Sequence, residues 1–283
     1  MHSLSLPSEG PTADAALCLR IAGWTGVVEV GDAGLRDSLR RMFSRFVVSP
    51  RRQGSEVARL VAVAPAQARP APVIRELPRV LRGEDGALRL AGEDYDATLS
   101  ADGLQAHVEG QGRFPVETVL KVMLARALAR RGGLLVHGVA VAHQGRAALF
   151  TGHSGAGKST LGALWAQAGG QVLSDELVAV WPEPGQGWRA AGTPWNVGQA
   201  AEAALSAVGT LAWDGVSRWE PQAAGDVGRM LLVNALLPEA TPVGRGGLLG
   251  AAGRLLSEVS PVRLVFARDA SAAAVIQGAL ANG

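Results

Sequence analysis

Residues 152–159 read Gly-His-Ser-Gly-Ala-Gly-Lys-Ser and fill every position of the pattern G-x-x-x-x-G-K-[ST]. Glycines there let the backbone curl with its N–H groups pointing inward, which is how a chain holds phosphate oxygens without side chains. Lys158 is then the ammonium for the β- and γ-phosphates of a nucleoside triphosphate, and Ser159 a hydroxyl ligand for Mg²⁺. The apolar run Ala147-Ala148-Leu149-Phe150 leads into the loop. The nucleotide-binding segment is therefore read as Gly152, His153, Ser154, Gly155, Ala156, Gly157, Lys158, Ser159 and Thr160. A chance glycine-rich turn is the competing reading, and the strand–loop–helix context weighs against it.

Two acids follow closely. The spacing predicts a helix from Lys158 to about Ala168, ended by Gly169-Gly170, then a short strand, Val172-Leu173, finishing at Ser174-Asp175-Glu176. If that strand runs parallel to the one entering the loop, a right-handed crossover brings both carboxylates to the edge of the sheet that carries the loop. Asp175 is expected to hold Mg²⁺, directly or through water, because a hard cation takes oxygen ligands beside phosphates. Glu176 is expected to act as general base on an incoming hydroxyl. The alternative is a pair that merely caps a turn in solvent.

His137 draws interest from register. Leu134 to Ala142, a turn at His143-Gln144-Gly145 and Arg146 to Thr151 read as a hairpin feeding the loop. If Ala142 pairs with Arg146, His137 falls opposite Thr151, and a loop one residue shorter puts it opposite Gly152. Its imidazole would hydrogen-bond a phosphate or orient a catalytic carboxylate; a satisfied core histidine is the plainer alternative. His153 faces either a substrate or solvent. Gly192-Thr193-Pro194-Trp195 is either a wall of the site or a turn closed by a core tryptophan. Arg189, Arg218, Arg229, Arg245, Arg254 and Arg263 are equal candidates for a clamp on a transferring phosphoryl group.

The elements that must position these groups suit a soluble globular chain. Its 283 residues are 48% hydrophobic and 18% charged, with a net charge of +2, which exerts no strong pull toward nucleic acid or a membrane. Of 27 lysines and arginines only Lys121 and Lys158 are lysine, so an ammonium stands out where it occurs. Cys18, the sole cysteine, excludes an internal disulfide and a cysteine-rich zinc site. The first 16 residues lack a secretory signal, and no stretch approaches 18 uninterrupted apolar residues, so a cytoplasmic location is expected.

Residues 17 to 112 read as short strands with one helix. Val27 to Val30 and 57 to 64 are strands, while Leu35, Leu39, Met42, Phe43 and Phe46 recur at helical spacing. Pro65 to Pro78 is a linker or edge loop, and the turns after it suggest a meander of hairpins. A helix opened by Pro115 and Glu117 places Leu120, Leu124 and Leu128 on one face and joins the two halves. The last third contains a helix at about 246 to 258, a strand from Val262 to Phe266 and a helix opened by Asp269.

The ordered trio Leu135-Val136-His137-Gly138-Val139, Gly152 to Thr160 and Val172-Leu173-Ser174-Asp175-Glu176 resembles the HPr kinase/phosphorylase family and its phosphoenolpyruvate-carboxykinase-like relatives. The resemblance implies an α/β fold: a phosphoenolpyruvate-carboxykinase-like P-loop core with a mixed sheet and packed helices over residues 113–283, and a smaller β-rich domain over residues 1–112. It maps metal binding onto Asp175, activation of an acceptor serine onto Glu176, and a site role onto His137, with ATP and Mg²⁺ as cofactors and assembly into a homo-oligomer. This chain departs from the family in three ways. Glu176 replaces the usual second Asp, His153 stands where Asp is common, and the later loop tied to phosphorylase activity and HPr docking is not found. A stand-alone kinase-like relative is the nearer likeness, and HPr is not the expected substrate.

The expectation is thus an ATP- and Mg²⁺-dependent kinase acting on a hydroxyl, foremost serine of a peptide or protein, with Asp175, Glu176, His137 and Lys158 as its catalytic set and Ser159 and Asp175 on the metal. A nucleotide-binding regulatory module without phosphotransfer and a kinase of small metabolites are the alternatives. Nothing in the loop reads the base of the nucleotide.

Overall fold

The computed structural model describes residues 16–49, 57–67, 69–72 and 78–282. The protein is mixed α/β, with two mixed sheets and six α-helices among the described residues. It divides into two compact units, one built mainly from residues up to Val119 and the other from Leu120 onward, with Arg20–Trp24 and Met42–Phe46 grouped with the second.

The first sheet contains β1 (Ala16–Ile21), β2 (Trp24–Val30), β3 (Val57–Val63), β4 (Arg79–Arg82), β5 (Leu88–Ala91), β6 (Tyr95–Leu99) and β7 (Gln105–Gly110), in the order β1-β2-β3-β7-β6-β5-β4. Strands β2, β3 and β7 are parallel, and β4 to β7 form the antiparallel meander that the turn residues predict. Ala58, Leu60 and Ala62 of β3 alternate inward, as a strand with one buried face requires. The helical spacing at 35–46 resolves into α1 (Ala33–Met42) and a separate 3-10 turn, Ser44–Phe46. The described part of the Pro65 to Pro78 segment has no regular structure; residues 68 and 73–77 lie outside the described residues.

The second unit carries the sequence motifs. Helix α2 (Arg113–Arg130) precedes β8 (Leu134–His143), β9 (Arg146–Thr151), α3 (Lys158–Gln167), β10 (Gln171–Ser174), β11 (Leu177–Glu183) and β12 (Gly187–Ala191). Then come β13 (Glu202–Trp213), β14 (Arg218–Pro221), α4 (Ala224–Asn234), α5 (Pro242–Glu258), β15 (Ser260–Phe266) and α6 (Ser271–Asn282). The Pro/Gly-rich stretch between Trp181 and Trp188 is a hairpin joining β11 and β12. The long β13, which the sequence analysis leaves unread, runs parallel to both β9 and β15. Pairing from β8 through β9, β13, β12 and β11 returns to β8, so these five strands form a closed circuit.

Side chains alternate across these strands between two cores. Val139, Val141, Ala148 and Phe150 pack with Leu161 and Trp165 of α3 and Ala272, Ala273 and Ile276 of α6. Ala140, Ala142, Ala147 and Leu149 pack on the other face with Val227 and Leu231 of α4 and Ala252 and Leu255 of α5. Burial on both faces explains why β8 and β9 read as near-continuous apolar runs.

Candidate active site

The hairpin register departs from the first expectation by one residue. His143, not Ala142, pairs with Arg146, so the turn is only Gln144-Gly145 and Gly138 lies opposite Thr151. His137 therefore falls level with Gly152, the second of the two registers weighed from sequence. Thr151 Oγ1 donates to His137 O at 2.9 Å, fixing the strand end where the loop begins.

The acids reach the loop by a different route from the one expected. Strand β10 does run in the direction of β9, but β8 lies between them, antiparallel to both. Nor does the strand end at the acids, because β11 resumes pairing with β8 at Leu177 opposite His137. Asp175 and Glu176 form a two-residue kink in one run of chain along β8, and Gly138 N donates to Glu176 O across it at 2.9 Å. Strand β8 thus carries His137 between the loop on one side and the acids on the other. Gly138 has no room for a side chain, since a Cβ there would lie 2.7 Å from Phe150 O.

The loop enters α3 through Gly157, whose φ of +100° a residue with a Cβ adopts only under strain. A Cβ on Gly157 would also lie 2.5 Å from Cζ2 of Trp213. Lys158 is buried, and its Nζ donates to the carbonyl oxygens of Gly152 at 2.8 Å and His153 at 3.1 Å. That burial holds the ammonium below its usual pKa range.

A cleft of about 390 Å³ gathers the predicted residues His137, Ser154, Gly155, Gly157, Lys158, Ser159, Thr160, Asp175 and Glu176 along its walls. Gly152, His153 and Ala156 do not line it; the first two meet Lys158 through their carbonyls, and the His153 side chain is exposed. Asp175 Oδ1 accepts from Asn196 Nδ2 at 2.9 Å and from Val197 N at 3.0 Å. Its other oxygen has no hydrogen bond among the described residues. Glu176 Oε1 lies 3.9 Å from Lys121 Nζ. The His137 pKa is lowered first by burial and then by the Lys158 ammonium; Glu176 pulls it back up, and Lys121 lowers it further. His137 is therefore neutral at pH 7, with one ring nitrogen free to accept.

Sequence reasoning missed Asn196, Trp213 and Arg268, which complete the cleft, and gave Lys121 no role. None of the six arginines named as clamp candidates lines it. Arg268 does, its guanidinium 4.2 Å from the Trp213 ring centroid and without a carboxylate partner among the described residues. Trp213 ends β13 and Arg268 follows β15, both parallel to the strand that enters the loop. Ligands in such sheets sit beyond the carboxyl ends of parallel strands, so the recognised strand ending at Phe266 was a usable signal for Arg268. None of Gly192 to Trp195 lines the cleft, and Trp195 is buried, as the alternative of a turn closed by a core tryptophan has it; the next residue, Asn196, faces the cleft.

The described residues contain no cluster of three or more His, Cys, Asp or Glu able to hold a metal unaided. Ser159 and one oxygen of Asp175 still suit a hard cation whose remaining ligands come from phosphate oxygens and water. No helix among the described residues is long and apolar enough to cross a membrane.

No protein-family model and no curated protein matches the chain. Among solved structures it is similar to the Hpr(Ser) kinase/phosphatase from Coxiella burnetii, at 12% identity, over 52% of this chain and 94% of that one. The TM-score is 0.29, a likeness too loose to assign any residue a role.

Proposed function

We propose that this protein is an ATP- and Mg²⁺-dependent phosphotransferase that moves the γ-phosphoryl group to a hydroxyl. The observation that carries the reading is the meeting of Lys158, Ser159, Asp175, Glu176 and His137 on one cleft. Loop amides and Lys158 bind the triphosphate, the ammonium exchanging its two carbonyl partners for phosphate oxygens. Arg268 adds a second cation to the cleft lining, available to charge on the transferring group. Ser159 and Asp175 would hold Mg²⁺, which when bound neutralises charge on the triphosphate. Asn196 and Val197 fix the Asp175 carboxylate in one orientation for that purpose. Glu176 takes the proton from the acceptor hydroxyl, and neutral His137 beside it hydrogen-bonds without adding repulsion toward Lys158.

The acceptor class follows from space. In this reading the nucleotide would take up much of the cleft of about 390 Å³, and the rim residues Ser154, Asn196 and Arg268 are exposed. The hydroxyl therefore arrives from solvent on a flexible chain, and serine of a peptide or protein suits this better than an enclosed metabolite. Incubation with γ-labelled ATP and serine-containing peptides tests the reading. Label should move to peptide, Glu176→Gln should abolish transfer, and ATP affinity should stay nearly unchanged. Tight ATP binding with no transfer to any hydroxyl or to water would leave a nucleotide-sensing module instead.

A further inference from the structure

We propose that Lys121 is a positioning residue that holds the Glu176 carboxylate toward the acceptor; this rests on the phosphotransfer reading above. The chain uses arginine almost everywhere, and of its two lysines one is Lys158 in the loop and the other, Lys121, lies 3.9 Å from Glu176 Oε1. Lys121 is seated as well as paired, since its Nζ lies 5.4 Å from the ring centroid of buried Trp195.

The seat belongs to the same loop that fixes the first acid. Trp195 supports Lys121, while Asn196 and Val197 donate to Asp175. That loop is itself tied down: Thr193 Oγ1 donates to Leu177 O at 2.6 Å, and Gln199 N donates to Leu173 O at 2.9 Å. One rigid loop therefore braces both acids, Asp175 directly and Glu176 through the Lys121 ammonium. A glutamate side chain that is 36% exposed has several open rotamers, and a fixed cation within 4 Å selects among them. An ion pair this exposed adds little to folding, so its value lies in orientation.

The test uses the full chain with Mg·ATP, with water as acceptor. Lys121→Met should lower kcat about tenfold while the KM for ATP stays within about twofold and Tm is unchanged. Lys121→Arg, which keeps a cation, should recover most of the loss. In a Glu176→Asp background, whose shortened carboxylate keeps residual turnover but draws away from the ammonium, adding Lys121→Met should cost little more. An equal loss in both backgrounds, or a loss confined to KM or Tm, overturns the proposal.

The contact has its own readout, because two lysines give two resolvable side-chain signals after reductive methylation with an isotope label. Glu176→Gln should shift the Lys121 signal, and Mg·ATP should shift that of Lys158. If the wild type transfers phosphate to neither water nor serine-containing peptides, the phosphotransfer reading fails, yet a shifted Lys121 signal upholds the brace. An unmoved one removes the brace whatever the turnover.

Discussion

Replacing Gly157 by Ala separates two costs that the structure assigns to one residue. A Cβ at φ +100° brings strain of roughly 1–3 kcal/mol. The same Cβ would stand 2.5 Å from Trp213 Cζ2, and moving a packed ring or the loop adds about 1–3 kcal/mol. Gly155→Ala is the matched control, because its φ is +81° and nothing lies within 4 Å of a Cβ there. Gly157→Ala should therefore destabilise by about 2–6 kcal/mol and Gly155→Ala by about 1–3 kcal/mol, from strain alone. Urea unfolding followed by tryptophan fluorescence reads the relevant part, since all seven tryptophans belong to the second compact unit. Trp213→Leu should recover part of the Gly157→Ala loss and none of the Gly155→Ala loss. Equal losses at the two glycines, or no relief from Trp213→Leu, would show that the loop does not rest on Trp213.

Two further outcomes are expected. The His137 pKa lies below its ordinary 6.5, so the unfolded chain binds a proton that the folded one refuses. The stability tied to this is complete above about pH 6.5 and is lost as pH falls from there through the folded value. The urea midpoint of the wild type should drop more between about pH 7.5 and 5.5 than that of His137→Gln, and parallel profiles would count against it. Arg268→Ala should weaken ATP binding about tenfold in a fluorescent-nucleotide titration, with Arg268→Lys intermediate because it keeps the charge but not the planar stack on Trp213. An affinity unchanged by Arg268→Ala removes this arginine from the phosphate site.

Local signals of the site were legible because they are covalently close. The loop motif, the hairpin before it and the acids 17 residues beyond Lys158 all lie within one stretch. Their convergence was reached through a mistaken topology, because an antiparallel strand between two parallel ones leaves no mark that separates it from a direct crossover. The hairpin register stayed open between two values because sequence alone does not say whether His143 belongs to the turn or pairs with Arg146, as it does. Strand β13 went unread because it is buried unevenly along its length and has no clean period of two. Missing it also hid Trp213. Lys121 and Arg268 were out of reach for a different reason: they come from α2 and from beyond β15, and only tertiary pairing brings such distant segments to Glu176 and to the cleft respectively.

The kink that carries Asp175 and Glu176 is pinned at both ends, by β10 before it and β11 after it, on the same neighbouring strand. The backbone under neither acid can swing away without unzipping a ladder, so the chain beneath these side chains behaves as a stationary anvil. Any opening and shutting during a reaction cycle falls to the exposed margin away from that braced loop, Ser154 and Arg268, and amide exchange that quickens or slows with nucleotide should be concentrated there.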